Sequence, residues 1–190
     1  MRCISCEKLS FSFICKTCQN HLLVPTFNKR ELEDGFFVYS FYPYEELKEF
    51  LNSKYYFYGD KIYTIIANLA FKKFALNFTF DTQITAIPID DHTRHEFSQS
   101  AILVKALSSK YIKPLYNTLH ATNKIKYAGR DLEFRRKNRR DFRYTGKQNL
   151  QVILVDDIVT SGLTLLEAKE LLEKNGCEVL FALTICDAKF

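Results

Sequence analysis

Cys3, Cys6, Cys15 and Cys18 form two CxxC pairs separated by eight residues, one of two places where residue types and spacing point to chemistry. Four thiolates arranged as two close pairs on a short knuckle can close a tetrahedral shell around Zn²⁺. A full shell leaves no position for water, so such a site is structural. It supplies folding energy that a segment as short and polar as residues 1–20 cannot obtain from packing. The competing reading, a redox CxxC, belongs at a helix start near a βαβ unit and needs no second pair. Cys177 and Cys186 lie in a late apolar segment and read as core cysteines.

The second place is residues 152–164, VILVDDIVTSGLT: an apolar run, twin acids, a short polar turn and the start of a helical pattern. A loop at the carboxyl end of a parallel strand is where open α/β sheets bind ligands. Main-chain N–H groups of residues 160–163, at the start of the helix, suit a phosphate. The hydroxyls of Thr160, Ser161 and Thr164 add donors, and Gly162 lets the backbone come close. Asp156 and Asp157 would repel a phosphate but make sense facing hydroxyls or a Mg²⁺-coordinated sugar. Turn and helix-cap chemistry is the plainer alternative for the same residues. No two of the six glycines lie within ten residues of each other, so neither GxGxxG nor a Walker A loop is present.

This combination resembles the phosphoribosyl-pyrophosphate signature of type I phosphoribosyltransferases. The resemblance implies that Asp156 and Asp157 hold the 2- and 3-hydroxyls of a ribose. It gives Thr160, Ser161, Gly162 and Thr164 the 5-phosphate, with Mg²⁺ accompanying the diphosphate.

The elements that must position these groups alternate. Residues 36–42 read as a strand, followed by a helix after Pro43 with apolar residues at Leu47, Phe50 and Leu51. One amphipathic helix is expected after Gly59, carrying Ile62, Ile65, Ile66, Leu69, Phe74 and Leu76. Then come a strand over 84–89, a helix over 100–109, a strand over 111–116 and a helix candidate over 131–142. The run 150–155 reads as a buried central strand, 163–175 as a helix with Gly176 at its C′ position, and 178–185 as the last strand. Strands alternating with helices predict an α/β fold, a mostly parallel sheet flanked by helices. The expected organisation is a zinc-binding knuckle over 1–24 and a phosphoribosyltransferase-like domain over 35–190, with 21–34 as a connection.

Composition adds bounds. With 47% apolar and 15% aromatic residues the chain can bury a core. Its longest uninterrupted apolar run is five residues, 179–183, far short of a bilayer span, so no membrane insertion is expected. The start lacks the profile of a secretory signal, and a cytoplasmic location is the expectation. The net charge of +5 is uneven: residues 120–148 carry ten Lys or Arg against three acids. Concentrated charge of this kind points to an anion. With Phe134 and Tyr144 interleaved, the segment suits single-stranded nucleic acid, its phosphates neutralised by Lys124, Lys126, Arg135, Arg136, Lys137, Arg139 and Arg140. The same segment also reads as a loop closing over a diphosphate, or as a solvated charged helix.

Taken together, the double CxxC, the VDDIVTSG segment and three further stretches resemble the ComF family over nearly the whole chain. LNSKYYFYGDK matches that family's LK-(Y/F)-x-GD through Lys54, Tyr58, Gly59 and Asp60. Its RGFNQ stands here as residues 95–99, retaining Phe97 and Gln99, with Arg94 one position earlier. Its ERR-x-N-x-x-x-F is matched by Arg135, Arg136, Asn138 and Phe142. The resemblance implies a cytoplasmic protein of natural transformation (DNA uptake) that binds phosphoribosyl pyrophosphate and single-stranded DNA. It places a pyrophosphate loop over 88–94, with Asp90 and Arg94. DNA-uptake or recombination proteins are the implied partners, with peripheral attachment at the inner membrane through them. A Mg²⁺-dependent phosphoribosyltransferase acting on an unidentified small acceptor is the alternative.

Overall fold

A computed structural model describes residues 1–89, 97–123, 133–134 and 138–190. After the knuckle and α1 (Lys16–Leu22) come β1 (Asn28–Glu33), β2 (Phe36–Pro43), α2 (Tyr44–Asn52), a 3₁₀ turn (Ser53–Tyr55), α3 (Gly59–Leu69) and α4 (Phe71–Asn77). Next follow β3 (Ile84–Pro88), α5 (Gln99–Ala106), β4 (Ile112–Pro114), β5 (Leu119–Ala121) and β6 (Phe142–Tyr144). The chain ends with β7 (Gln151–Val159), α6 (Leu163–Lys174) and β8 (Glu178–Asp187).

Six strands form one sheet in the order β1-β2-β8-β7-β3-β4, and β5 pairs with β6 in a separate hairpin. All pairings in the large sheet are parallel except β1 with β2 at the edge. The fold is therefore α/β with a mostly parallel sheet flanked by helices. Alternation along β7 assigns its two faces: Ile153 and Val155 join a core with Leu47, Ile62, Ile66 and Leu103 from the helices α2, α3 and α5. Val152 and Leu154 join Leu165, Ala168 and Leu172 of α6 on the other. The knuckle shares the first core, because Cys3, Ile14, Cys18 and Leu23 are buried in it. Among the described residues, no helix is long and apolar enough to cross a membrane.

Four expectations are corrected. Residues 28–33 are no connection but the antiparallel edge strand β1, whose Asn28, Arg30 and Leu32 turn inward while Lys29, Glu31 and Glu33 face out. The dense charge of that stretch hid its period of two. The single helix after Gly59 is two, broken at Ala70 (φ −108°, ψ −69°), and Leu76 is exposed. The central strand does not stop at Val155: β7 continues to Val159 because β8 offers partners as far as Asp187. Asp156 and Asp157 are thus strand residues, and the chain reverses only after Val159. Phe142 lies in β6 rather than at the end of a helix, and residues 131–132 and 135–137 of the 131–142 candidate fall outside the described residues.

Candidate functional site

The carboxyl end of β3 lies beside β7, with Pro88 paired to Val155. The Ile89 amide extends that pairing to the Val155 carbonyl (2.8 Å), one residue before the twin acids. The chain re-enters the described structure at Phe97, where Ser98 caps α5 through the Ala101 amide. The Ser100 hydroxyl donates to the Ile89 carbonyl at 3.0 Å, tying both ends of the intervening stretch to the sheet. Asp90 and Arg94 lie within that stretch and outside the described residues.

At the end of β7, residues 160–162 turn the chain into α6. Gly162 has φ +84°, in the left-handed region, and a Cβ there would stand 2.7 Å from Leu32 Cδ2. The left-handed backbone favours glycine, and a side chain there would also displace the Leu32 methyls. The first i→i−4 bond of α6 runs from the Leu166 amide to the Gly162 carbonyl, so the amides before it belong to the helix's open N-terminal end. Ser161 Oγ sits 3.5 Å from the Leu163 amide. From the edge strand, Arg30 Nη2 donates to the Thr160 carbonyl (3.0 Å) while its Nε donates to Asp187 Oδ2 (2.6 Å). Arg30 therefore pins the turn to the end of β8.

The acids are not equivalent. Asp157 Oδ2 accepts from Lys54 Nζ at 2.9 Å and lies 3.3 Å from the Tyr63 hydroxyl, both of the ion-paired side chains being 19% exposed. Burial works against the Lys54 ammonium, but the charge and hydrogen bond of Asp157, with Tyr55 and Asp156, together outweigh it and hold Lys54 above the usual lysine range. Burial and then the Asp157 charge raise Tyr63 too, so its phenol stays a donor. Asp156 Oδ1 accepts from the Asp157 amide (2.8 Å). Burial, and then the adjacent Asp157 carboxylate, push Asp156 well above the ordinary aspartate range. Asp156 is also within reach of the Lys54 and Arg140 charges, which pull it the other way; its oxygens and those of Asp157 are ligands that a hard divalent cation or a row of hydroxyls accepts.

Two sequence motifs read separately meet here. A Cβ on Gly59 would come 2.3 Å from the Ser53 carbonyl oxygen and 2.8 Å from the Phe97 ring, and that ring is 6.4 Å from the Tyr63 ring. Gly59 and Phe97 therefore pack the turn and helix that aim Lys54 and Tyr63 at Asp157. Lys54 had a motif match as its signal. Tyr63 had none, since on α3 it stands among core residues, and Arg30 was concealed in a stretch that resembled a linker.

The basic segment is rooted rather than free. Leu119 and Ala121 of β5 pair with Tyr144 and Phe142 of β6, so the ends of the segment meet. Glu167 of α6 accepts from the amides of Arg140 (3.0 Å) and Asp141 (2.7 Å). Arg139 Nη2 donates to Glu170 at 2.5 Å. Arg139 is thus engaged by a helix carboxylate, and Tyr144 packs on the second core with its hydroxyl donating to the Lys147 carbonyl (2.7 Å). Phe134 is partly buried, its carbonyl accepting from the Asn138 amide (3.0 Å). Lys124, Lys126, Arg135, Arg136 and Lys137 lie outside the described residues.

At the other end of the chain, the four knuckle sulfurs lie within 4.8 Å of one another. Cys6 Sγ and Cys15 Sγ are 3.7 Å apart, close to the ~3.8 Å edge of a tetrahedron with Zn–S bonds of ~2.3 Å. Cys3 Sγ accepts from the Cys15 amide (3.3 Å) and Cys15 Sγ from the Cys18 amide (3.4 Å). Burial disfavours the Cys3 thiolate, yet backbone donors of Cys15, Cys6 and Ser5 bring its thiol down to about 6. Buried sulfurs supplied with amide donors are what a tetrathiolate metal centre needs. A cavity of about 410 Å³ runs from Leu163 at the start of α6 along Glu167 and Glu170 to Arg139, and another of about 450 Å³ lies beneath Phe27 and Phe74.

Residues 99–189 match the family model of the phosphoribosyl transferase domain, a stretch that includes β7, the turn and α6. That stretch, just under half of the chain, is similar to a phosphoribosyl transferase domain. No curated protein matches it in sequence. Among solved structures, UMP synthase of Leishmania donovani aligns with TM-score 0.40 and 16% identity, over 90% of this chain and 30% of that one. A hypoxanthine phosphoribosyltransferase from Staphylococcus aureus gives 0.40 and 13%, over 67% of this chain and 64% of that one. Phosphoribosylpyrophosphate synthetase from Mycobacterium smegmatis gives 0.37 and 13%, over 89% and 75%.

Proposed function

We propose that this chain binds phosphoribosyl pyrophosphate with Mg²⁺ above the carboxyl ends of β3 and β7. Asp156 and Asp157 take the ribose hydroxyls. Thr160, Ser161, Gly162 and Thr164 take the 5-phosphate, and Asp90 and Arg94 line the diphosphate end. The observation that carries the reading is the left-handed turn at Gly162, which leads from β7, with Asp156 and Asp157 just before its end, to the N-terminus of a twelve-residue helix. Hydroxyl acceptors and anion donors then stand a few residues apart, as a phosphorylated sugar needs. The Mg²⁺ would shield the diphosphate, and the oxygens of the two acids are ligands it accepts.

Isothermal titration of the full chain with phosphoribosyl pyrophosphate and Mg²⁺ tests this. Binding heat is expected from the wild type and is lost or sharply weakened in Asp157→Ala; equal heat from both proteins, or none from the wild type, overturns the assignment.

The wider reading is a ComF-like cytoplasmic protein of DNA uptake, with Zn²⁺ on Cys3, Cys6, Cys15 and Cys18 and a single DNA strand at the basic segment. Support comes from the local charge of residues 120–148 and from the knuckle geometry. Each phosphate contact releases counterions, so affinity for an oligonucleotide should fall by orders of magnitude between roughly 50 and 200 mM salt. A flat salt response rejects it. Phosphoribosyl transfer to a small acceptor is the second reading, favoured by the domain match over 99–189.

A further inference from the structure

Asp157 already has a cation, and it comes from the protein itself. Lys54 Nζ donates to Asp157 Oδ2 at 2.9 Å, and both side chains are mostly buried. The Tyr63 hydroxyl stands 3.3 Å from the same oxygen and 3.3 Å from the Leu51 carbonyl, sharing its one hydrogen between them. Oδ2 is therefore taken, while Oδ1 has no hydrogen-bond partner among the described residues. On Asp156 the Asp157 amide takes Oδ1, and Oδ2 has no partner among the described residues. Each acid thus keeps one oxygen for a ligand.

Lys54 is held in place rather than free to wander. It sits in the 3₁₀ turn Ser53–Tyr55, where the Tyr56 amide donates to the Ser53 carbonyl (2.9 Å) and the Gly59 amide to the Tyr56 carbonyl (3.0 Å). A Cβ on Gly59 would come 2.3 Å from the Ser53 carbonyl oxygen, so turn and α3 pack backbone to backbone. Behind them Tyr58 stacks on Phe13 of the knuckle at 5.3 Å. A divalent cation such as Mg²⁺ needs carboxylate oxygens at about 2.1 Å. Beside an ammonium already paired with the same carboxylate it meets a like charge. A hydroxyl donates to the open oxygen and adds no charge. Without the ammonium, a mostly buried carboxylate would lack its close partner, a costly state that another cation relieves.

We infer that Lys54 is a specificity-determining residue: its ammonium fills the cation position of Asp157, reserving the open oxygen of that acid for a sugar hydroxyl and denying it to a free divalent metal. Resting on the sugar-phosphate reading above, this separates two kinds of ligand. Mg²⁺ enters with a diphosphate that carries it, whereas a sugar phosphate without a diphosphate needs no metal.

Mn²⁺ alone, followed by electron paramagnetic resonance on the full zinc-loaded chain, tests the first consequence. Wild type and Asp157→Asn are expected to bind it equally weakly. Lys54→Met is expected to bind it about 10-fold more tightly or better, its freed carboxylate being a metal ligand. Adding Asp157→Asn to Lys54→Met removes that gain, and Lys54→Arg, which keeps a cation, does not acquire it. Ribose 5-phosphate, titrated calorimetrically with and without Mg²⁺, tests the second. Its affinity for the wild type is expected to ignore the metal, and that of Lys54→Met to rise about 5-fold or more with it. A lysine that only stabilised the fold would leave this metal dependence unmoved.

Wild-type binding of Mn²⁺ that Asp157→Asn abolishes overturns the role of Lys54, and that result requires no Lys54 variant to fold. A Lys54→Met protein that keeps the wild-type circular dichroism and gains no Mn²⁺ site overturns it too. So does a wild-type affinity for ribose 5-phosphate that rises about 5-fold or more with Mg²⁺. All three leave wild-type binding of phosphoribosyl pyrophosphate intact. Absence of binding of either sugar phosphate by the wild type instead removes the sugar-phosphate site, and the role of Lys54 with it.

Discussion

The knuckle and the turn after β7 both concentrate chemically capable residues in a short window, yet they are built in opposite ways. All four knuckle thiols come from 18 consecutive residues, and their sulfurs converge within 4.8 Å. The turn contributes its own acids and hydroxyls, but its shape depends on Arg30 and Leu32 from the edge strand, Lys54 and Tyr63 from the opposite layer, and Asp187 from β8. One centre draws its potential metal ligands from a single short segment, the other is assembled by packing from distant ones. They should break differently.

The largest effect is expected at the knuckle. Structural zinc sites are worth on the order of 10 kcal/mol in isolated fingers, and residues 1–20 add only Cys3, Ile14 and Cys18 to the buried core. Chelation or Cys18→Ala should abolish hydrogen-exchange protection of the knuckle amides, such as Cys15 to Cys3, and lower the melting temperature of the whole chain through the buried Ile14 and Leu23. Protection that survives a strong chelator would show that packing, not metal, holds this region.

A smaller and more divisible loss is expected at Gly162. Gly162→Ala meets two obstacles, left-handed backbone strain and the Leu32 side chain. Strain of this kind costs about 1–3 kcal/mol. Adding Leu32→Ala to Gly162→Ala should remove the steric part and leave the backbone part, so urea denaturation of the four-member cycle separates them. Strict additivity of the two substitutions would mean that Leu32 does not press on the turn.

The smallest effect has the opposite sign. The Asp156 carboxyl is held above the ordinary value of about 3.9 in the folded state. The folded chain therefore binds more protons than the unfolded chain as pH rises above about 4. Its stability should fall over that window, up through the folded-state pKa. Asp156→Asn cannot ionise, so it should be more stable than wild type at pH 7 and lack that decline, while binding phosphoribosyl pyrophosphate less well. Urea midpoints at pH 5 and pH 8 check the sign. A wild-type protein more stable at the higher pH, with the decline absent, would contradict the buried acid.

Much of the architecture was legible because its signals are local. The buried run 152–155 and the helix closing at Gly176 follow from period and cap chemistry, and the four-cysteine spacing from ligand geometry. What misled were segments whose local character opposed their setting. Charged β1 resembled a linker because one of its faces is solvent. The reversal expected after Val155 moved to residues 160–162 because strand length is set by the partner strand, which no single segment records.

By itself the amino-acid order determined the tetrathiolate set, the alternation of strands and helices, and the acid-acid-turn-helix string. Spacing and side-chain type suffice for these, since each depends on near neighbours. Only the tertiary structure decided which acid is paired and which is left protonation-prone. It also decided what props the turn open. Those outcomes depend on Lys54, Tyr63 and Arg30 arriving from distant parts of the chain, and burial and charge coupling exist only once they have met.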